Sequence, residues 1–340
     1  MAEVRADLWP APGRAKPVSP VWRSPEFVAE LEEWCSSVLL EEVILEEVKV
    51  RSWSAVWRVL TPGGTYYAKQ NCPGQAFEAG LMLALAGLSD RVVPVTAVDL
   101  ERGFLMTPDQ GPVMREAVGD SEESWCAVVR EASLLQREVA DYVAPLEAAG
   151  ARRLGAAEAP TYVATRLEQY AALPAGDPRG LDRDAADRVR AVVPDVGRWS
   201  EQVLALGLPV TLNHSDLHSD NVFAHRDGMK FFDFGDAVLS DPLAVLLATL
   251  SSMRFHLECG PDDPRLAKVA DAAIEVWSDL APATDLRAAL GPALQLGKLA
   301  RSESWARCLT TVTDEEMAEM GDSAAYWLLD VTEPPPMRTG

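Results

Sequence analysis

The chain has 340 residues, 48% of them hydrophobic, and carries a formal net charge of −21. A single hydrophobic core stops growing at about 250–300 residues, so this length predicts two lobes. The acidic balance argues against nucleic acid and membrane surfaces as partners, because binding to either needs clustered Lys and Arg, and it favours a cationic ligand.

Neither membrane insertion nor secretion is expected. The longest apolar runs are too short or too interrupted by charge to span a bilayer, and the N-terminus lacks a signal-peptide pattern. The five cysteines are scattered without zinc-binding spacing, which predicts reduced thiols. We therefore expect a cytoplasmic protein, present as a monomer or homodimer.

The first part of the chain predicts a small lobe built on antiparallel strands. Residues 1–24 are rich in proline and have no periodicity, and we expect a flexible leader there. The N-terminal lobe then covers residues 25–111. It begins with a helix over 25–40, and residues 47–70 predict a three-strand meander.

A helix and further strands complete this lobe. The helix begins near Gln75 and is apolar almost all round except for Glu78. A buried carboxylate needs a partner, and Lys69 at the end of the meander is the obvious one. The alternative is a solvent-facing Glu78 favoured by the helix dipole. A strand-like segment at 92–100 then leads to an apolar strand and a polar linker at 104–111.

Residues 112–331 predict a larger, mainly helical lobe, and we expect the Pro-rich tail at 332–340 to be disordered. The last two helices are expected to be separated by a segment that contains Trp305. The expected helices cover residues 124–146, 160–172, 183–206, 243–252, 264–280, 284–302 and 314–329.

The segment at 213–236 carries the chemistry. It contains His-x-Asp-x-x-x-x-Asn, which ends at Asn221, and then Asp-Phe-Gly, which begins at Asp233. Protein kinases use this spacing for a catalytic carboxylate, a metal-binding amide and a metal-binding carboxylate. An Asp-Gly pair at 227–228 predicts a hairpin that brings Asn221 and Asp233 together.

These residue types fit phosphoryl transfer. Asp216 would orient a substrate hydroxyl and accept its proton, while Asn221 and Asp233 would bind Mg²⁺ against the phosphates of a nucleotide. Magnesium is a hard ion that prefers oxygen, and such a pair leaves positions for phosphate oxygens and water. The alternative is a chance His-Ser-Asp in a loop, with Asp233 a turn carboxylate.

The same segment resembles the aminoglycoside phosphotransferase family, the small-molecule branch of the protein-kinase-like fold. That family commonly shows His-Gly-Asp-Leu-His and then Ile-Asp-Trp/Phe-Gly-Asp/Glu-Ala. Residues 214–218 and 232–237 are similar to these motifs, with Ser215 in place of the usual Gly. A Ser-Asp-Pro turn at 240–242 also resembles the family, and the Ala-Pro-Glu end of a protein-kinase activation segment is absent from the sequence.

The resemblance implies an α+β, bilobal protein-kinase-like fold with a small antiparallel-sheet N-terminal lobe, a hinge at about 104–111 and a larger, mainly helical C-terminal lobe. It implies that Lys69, steadied by Glu78, contacts the phosphates of ATP or GTP, and that His214 braces the catalytic loop. The adenine would face Met106 and the backbone of Thr107 and Asp109, and the β-phosphate would meet the hydroxyl of Ser52 or Ser54.

The predicted function is Mg²⁺-dependent transfer of phosphate from ATP or GTP to a hydroxyl of a small, cationic molecule, such as an aminoglycoside-like antibiotic, an amino alcohol or a sugar. Two alternatives stay open. A peptide or protein Ser/Thr kinase acting on a precursor peptide would use the same centre in an open groove. A non-catalytic pseudokinase is disfavoured, because such chains usually lose the Lys, Asp or Asn and this sequence has all three.

Overall fold

A five-stranded antiparallel sheet forms the N-terminal part of the molecule, in the strand order β1-β2-β3-β5-β4. The computed structural model describes residues 9–226 and 228–339. The strands are β1 (Ile44–Val50), β2 (Ser54–Thr61), β3 (Gly64–Asn71), β4 (Ala97–Asp99) and β5 (Phe104–Pro108). The predicted meander is therefore confirmed, and two further strands extend it.

Two helices, α1 (Ser19–Trp22) and α2 (Pro25–Leu39), pack against one face of this sheet. The hydroxyl of Ser24 accepts the Phe27 N–H and caps α2, whose first residue is a proline. The apolar stripe expected on α2 is buried against the sheet. We call this the N-terminal core, and its members include Phe27, Leu31, Trp34, Trp57, Ala68, Phe104 and Met106.

The described part of the leader is packed, which differs from the flexible leader expected over residues 1–24. Trp9 and Trp22 are each 1% exposed, and the Trp9 ring contacts Tyr162 edge-on at 5.2 Å. The Trp22 indole N–H donates to Gln70 at 2.5 Å. Isolated tryptophans bury large apolar surfaces without any helical or strand periodicity, so the sequence pattern missed them. Residues 1–8 lie outside the described residues.

The C-terminal lobe is mainly helical. Helix α3 (Glu78–Ala86) lies between β3 and β4 in the chain and contacts this lobe. The Asp182 side chain caps the helix Arg183–Leu204 by accepting the Ala185 N–H at 2.8 Å. The remaining helices are α4 (Met114–Ala117), α5 (Glu122–Val139), α6 (Val143–Ala148), α7 (Ala159–Ala171), α8 (Arg183–Leu204), α9 (Leu246–His256), α10 (Pro264–Trp277), α11 (Ala283–Cys308), α12 (Asp314–Met320) and α13 (Ser323–Asp330).

Three of the expected helices differ from the structure. The break expected at Trp305 is wrong, because α11 continues through this residue to Cys308. The long helix expected over 124–146 is divided instead, since a short 3-10 turn at Ala140–Tyr142 separates α5 from α6. The helix expected over 314–329 is also divided, into α12 and α13. Trp305 packs against Trp53 of the N-terminal lobe, with ring centroids 5.6 Å apart.

Four short strands lie in the C-terminal lobe, β6 (Thr211–Asn213), β7 (Val222–His225), β8 (Gly228–Phe231) and β9 (Val238–Ser240). β7 pairs with β8 and β6 with β9, both antiparallel. The hairpin predicted after Asn221 is thus confirmed, although Asp227 of its turn lies outside the described residues. No helix within the described residues is long and apolar enough to cross a membrane.

The described part of the tail is packed, which differs from the disorder expected over residues 332–340. Met337 is buried, and the Arg338 N–H donates to the Pro261 carbonyl at 3.0 Å. The buried Lys298 ammonium donates to the carbonyls of Glu333 and Pro334. A Pro-rich segment exposes carbonyl groups that a lysine can bind, which composition alone does not show. Gly340 lies outside the described residues.

Candidate active site

Lys69, near the end of β3, lies between two carboxylates. Its Nζ is 2.6 Å from Glu78 Oε2 and 2.6 Å from Asp233 Oδ1. Glu78 is 2% exposed, so the solvent-facing alternative is wrong. Although burial disfavours the ammonium, Asp233 and Glu78 raise the pKa of Lys69 above its ordinary value. Lys69 of β3 is therefore a charged group that pairs with one carboxylate of α3 and one of the Asp-Phe-Gly segment.

Glu78 also ties α3 to the Asp-Phe-Gly segment. Its Oε1 accepts the backbone N–H of Phe234 at 2.8 Å. The Asn71 amide donates to its other oxygen, the one that faces Lys69. These donors compensate the burial of the carboxylate, which is otherwise costly. One side chain at the start of α3 thus joins the two lobes.

The Asp216 carboxylate is paired with an arginine from α11. Arg301 Nη1 lies 3.0 Å from Asp216 Oδ1 and 3.1 Å from Asp236 Oδ2. His218 Nε2 is 3.5 Å from the other Asp216 oxygen. Burial opposes ionisation of Asp216, but Arg301 and His218 together lower its pKa below the ordinary range. Asp216 is therefore ionised at neutral pH.

The His214 side chain contacts the segment around Asp233 through Phe232 and Phe234. Its Nε2 lies 2.8 Å from the Phe232 carbonyl oxygen, and its ring contacts the Phe234 ring with centroids 4.6 Å apart. Burial lowers the pKa of His214. Because a carbonyl oxygen only accepts, Nε2 carries the proton of a neutral imidazole. This geometry connects the catalytic loop to the residue before Asp233.

Asn221 and Asp233 carry side-chain oxygen atoms and flank the β7–β8 hairpin, one before β7 and the other after β8. The Asn221 amide nitrogen donates to the Asp216 carbonyl at 2.9 Å and lies 3.1 Å from His218 Nε2. Its amide oxygen is thereby turned away from these contacts. The register of β7 and β8 pairs Val222 with Phe231, so Asn221 and Asp233 lie at the same end of the hairpin.

Two residues of this segment adopt left-handed backbone conformations. Ser215 has φ 62° and Asp233 has φ 63°. This conformation costs a non-glycine residue about 1–2 kcal/mol, and such strain is concentrated at functional sites. The Ser215 N–H donates to the Asn213 side chain at 2.9 Å, which supports the turn. The left-handed φ explains why Gly is usual at the position of Ser215.

The hydroxyl groups of Ser52 and Ser54 do not point to an accessible phosphate site, contrary to prediction. Both side chains are buried, and Ser52 contacts the carboxylate of Glu316 in α12. Trp53, between them, packs edge-on against Trp305. This aromatic contact holds the turn against the C-terminal lobe and directs the serines inward.

Met106 lies on the opposite face of the sheet from Lys69, so the prediction that its side chain faces the adenine is wrong. In the β3–β5 register Lys69 pairs with Leu105. Side chains alternate across a strand, so Leu105 and Thr107 share the face of Lys69. Met106 is buried in the N-terminal core, against α2.

The backbone N–H of Asp109 is already used. It donates to the Thr65 carbonyl at 3.0 Å, and the Asp109 side chain accepts the Gly111 N–H at 2.9 Å. This N–H is therefore not free for the adenine edge, and the predicted adenine contact of the Asp109 backbone is left to its carbonyl group, for which it stays a prediction. The Thr107 side chain lies on the face of the sheet that carries Lys69, while its backbone pairs with Tyr67 of β3. The predicted adenine contact of the Thr107 backbone stays a prediction.

The sequence matches the phosphotransferase enzyme family over residues 47–282. The match includes Lys69, Glu78 and the whole segment from His214 to Asp236. The chain belongs to the phosphotransferase enzyme family. The resemblance noted from the motifs is thus confirmed, and this phosphotransferase acts on a hydroxyl acceptor. No curated protein matches the sequence.

Solved structures show that the phosphotransferase has a kinase-like fold, as predicted. An ethanolamine kinase from Plasmodium vivax superposes with a TM-score of 0.62 at 11% identity, covering 92% of this chain and 90% of that chain. The choline kinase LicA from Streptococcus pneumoniae gives 0.59 at 14% identity, covering 91% and 98%. Aminoglycoside phosphotransferase APH(4)-Ia, a thermostable mutant in a ternary complex with ADP and hygromycin B, gives 0.53 at 15% identity, covering 89% and 97%.

A cavity of ≈370 Å³ opens beside Asp216 of the phosphotransferase. Its ionisable lining groups are Arg115, Asp216, His218, Asp220, His256 and Arg301. Arg115 lies 3.0 Å from Asp220 and 2.7 Å from His256 Nε2, so each lining carboxylate is paired with an arginine. Sequence reasoning missed Arg115, His256 and Arg301, because they are distant from the motif and follow no local pattern.

Proposed function

We propose that this phosphotransferase transfers the γ-phosphoryl group of ATP or GTP to a hydroxyl of a small molecule and requires Mg²⁺. The observation that carries the proposal is the Lys69–Glu78–Asp233 cluster, together with Asn221 bound to the Asp216 loop. Phosphoryl transfer depends on positioning and on stabilising charge. Lys69 is the cation for the nucleotide phosphates, and Leu105 and Thr107 lie on its side of the sheet for the base.

The donor set fits Mg²⁺. Asn221 offers an amide oxygen and Asp233 a carboxylate, which are hard oxygen ligands of the kind that Mg²⁺ prefers. Lys69 occupies one Asp233 oxygen at 2.6 Å, which leaves the other for the ion. Phosphate oxygens and water would complete the coordination shell. When bound, the ion neutralises the charge of the phosphates.

Asp216 orients the acceptor hydroxyl. The bond between the hydroxyl oxygen and the γ-phosphorus forms while the bond from that phosphorus to the leaving diphosphate breaks, and the hydroxyl proton passes to Asp216. Arg301 keeps the pKa of Asp216 low against the effect of burial, so the carboxylate is a weak base that accepts the proton late. Its main contribution is orientation, which by itself gives large rate enhancements.

The pocket lining argues for an acceptor that is neutral or anionic at its bound end. A cationic acceptor was predicted from the net charge, but the lining carboxylates Asp216 and Asp220 are already paired with Arg301 and Arg115. The guanidinium of Arg301 also lies 5.6 Å from the Trp327 ring centroid, so this aromatic face already holds a cation. A cationic group in this cavity would lie close to two arginines, and no carboxylate among the described lining residues is free to pair with it.

Release of ADP or GDP by the purified protein tests the proposal. The acceptor panel contains a neutral sugar, a sugar acid, an amino alcohol, an aminoglycoside and a serine peptide, with Mg²⁺ present. We expect acceptor-dependent turnover with a hydroxyl compound that lacks an amine, and its loss in Asp216→Asn. A wild-type protein that neither binds nor turns over a nucleoside triphosphate would refute the proposal, and preference for the peptide would favour the peptide-kinase alternative.

A further inference from the structure

A second cavity, of ≈130 Å³, lies between α7, α11, the turn at 73–75 and residues 10–13. Its lining includes the four arginines Arg152, Arg166, Arg179 and Arg307, and one carboxylate, Glu303. Among the described residues it shares no lining with the cavity beside Asp216. In a chain with a net charge of −21, this is a marked local excess of positive charge.

The carboxylates near this cavity already form ion pairs with arginines other than Arg307. Glu303 Oε2 is 2.5 Å from Arg166, and Glu303 Oε1 is 3.4 Å from Arg152. Arg179 forms its own pair with Asp177 at 2.6 Å. No carboxylate is therefore left in the described lining for Arg307.

Arg307 is a buried cation without a hydrogen-bond acceptor. It is 6% exposed, and none of its three guanidinium nitrogens has a partner within residues 9–226 and 228–339. Its guanidinium lies 5.1 Å from the Phe77 ring centroid, a contact that satisfies no N–H group. Burying an unpaired charge is strongly unfavourable. A planar guanidinium matches the paired oxygens of a phosphate or carboxylate.

We propose that this cavity binds a small oxyanion, a phosphate or carboxylate group, through Arg307. The volume corresponds to about four water molecules at ~30 Å³ each, which is room for an ion of the size of phosphate. The site adjoins the catalytic apparatus, because Gln75 of the 73–75 turn donates to Asp236 at 2.7 Å. A bound anion therefore holds α11 and this turn together next to the active site.

Urea unfolding followed by tryptophan fluorescence tests the site, using phosphate-free full-length protein at constant ionic strength. Inorganic phosphate is the first probe and acetate the second, so that a response to acetate alone assigns a carboxylate ligand. At a phosphate concentration 100 times its dissociation constant, the unfolding constant of the wild type should fall about 100-fold. In Arg307→Met it should change less than about twofold, while Arg307→Lys retains part of the response.

Two controls make the result specific. Arg190→Met removes an exposed arginine of α8 and should respond to phosphate like the wild type. Lys69→Met removes the cation proposed to bind nucleotide phosphates, and its response should also persist. The proposal is overturned if neither anion stabilises the wild type, if Arg307→Met responds as strongly as the wild type, or if the response disappears with Lys69 and not with Arg307.

Discussion

Replacing Glu78 by Gln or by Ala separates two of the three contacts of its carboxylate, those with Lys69 and with the Phe234 N–H. Gln keeps an oxygen that can accept the Phe234 N–H, which lies at 2.8 Å in the structure. It loses the charge that faces Lys69 at 2.6 Å. Ala loses both contacts and also the hydrogen bond from the Asn71 amide. The Glu78 and Lys69 side chains are 3% and 13% exposed, so water does not readily replace either one.

The two variants should differ in stability by a measurable amount. Removing one partner of a buried ion pair costs about 3–5 kcal/mol. Asp233 also holds Lys69 at 2.6 Å, so we expect the lower limit, about 3 kcal/mol, for Glu78→Gln. Leaving the buried Phe234 N–H without an acceptor adds about 1–3 kcal/mol in Glu78→Ala. Because whole proteins have about 5–15 kcal/mol of stability, Glu78→Ala should be close to unfolding.

Urea denaturation gives the two free energies of unfolding, and kcat/KM for ATP gives the catalytic effect. Both variants should lower kcat/KM, because Lys69 loses one of the two carboxylates that hold it. Glu47→Gln, at an exposed position of β1, is the matched control and should stay within about 0.5 kcal/mol of the wild type. Equal stability of Glu78→Gln and Glu78→Ala would refute the assigned role of the Phe234 N–H.

Three further outcomes are expected. Arg301→Met should move the acid limb of the kcat/KM profile to higher pH. Burial raises the pKa of Asp216 and Arg301 lowers it, so removing the guanidinium raises this pKa. Only the ionised carboxylate accepts the proton. An acid limb that stays where it is in the wild type would contradict this. Asp216→Asn should reduce kcat by about 10²–10⁴ with nucleotide affinity retained in a calorimetric titration; a parallel loss of affinity would indicate misfolding. Trp22→Ala should lower the free energy of unfolding by about 3–5 kcal/mol, whereas Val21→Ala at a neighbouring exposed position should change it little; equal effects would contradict a packed leader.

Much of the catalytic centre could be predicted from local sequence. Asp216, Asn221 and Asp233 lie within one loop and hairpin, so their spacing along the chain largely sets their spacing in space. Glu78 could be paired with Lys69 because a carboxylate in an apolar helix requires a buried cation, and the two lie at 2.6 Å. The three-strand meander could also be predicted from local sequence, and the kinase-like arrangement from the family resemblance, whereas the order of the five strands was not predicted.

The hinge shows how a small ambiguity reverses a conclusion. A strand at the start of 104–111 could be predicted from sequence, but the face that each residue occupies depends on the register of this strand with β3. Because side chains alternate, an error of one residue moves Met106 from the core to the nucleotide. Only the pairing of Lys69 with Leu105 settles that Leu105 and Thr107 share its face.

By itself, then, the sequence indicated a phosphotransferase, because the residues proposed to move phosphate are close together in the chain and have characteristic spacing. The tertiary structure alone decided the surroundings of that chemistry. Arg301 reaches Asp216 from α11, and Arg115 reaches Asp220 from α4. Trp22 and Arg307 are buried by segments distant in sequence. An isolated arginine or tryptophan has no periodicity to read, since its role depends on which segments fold against it.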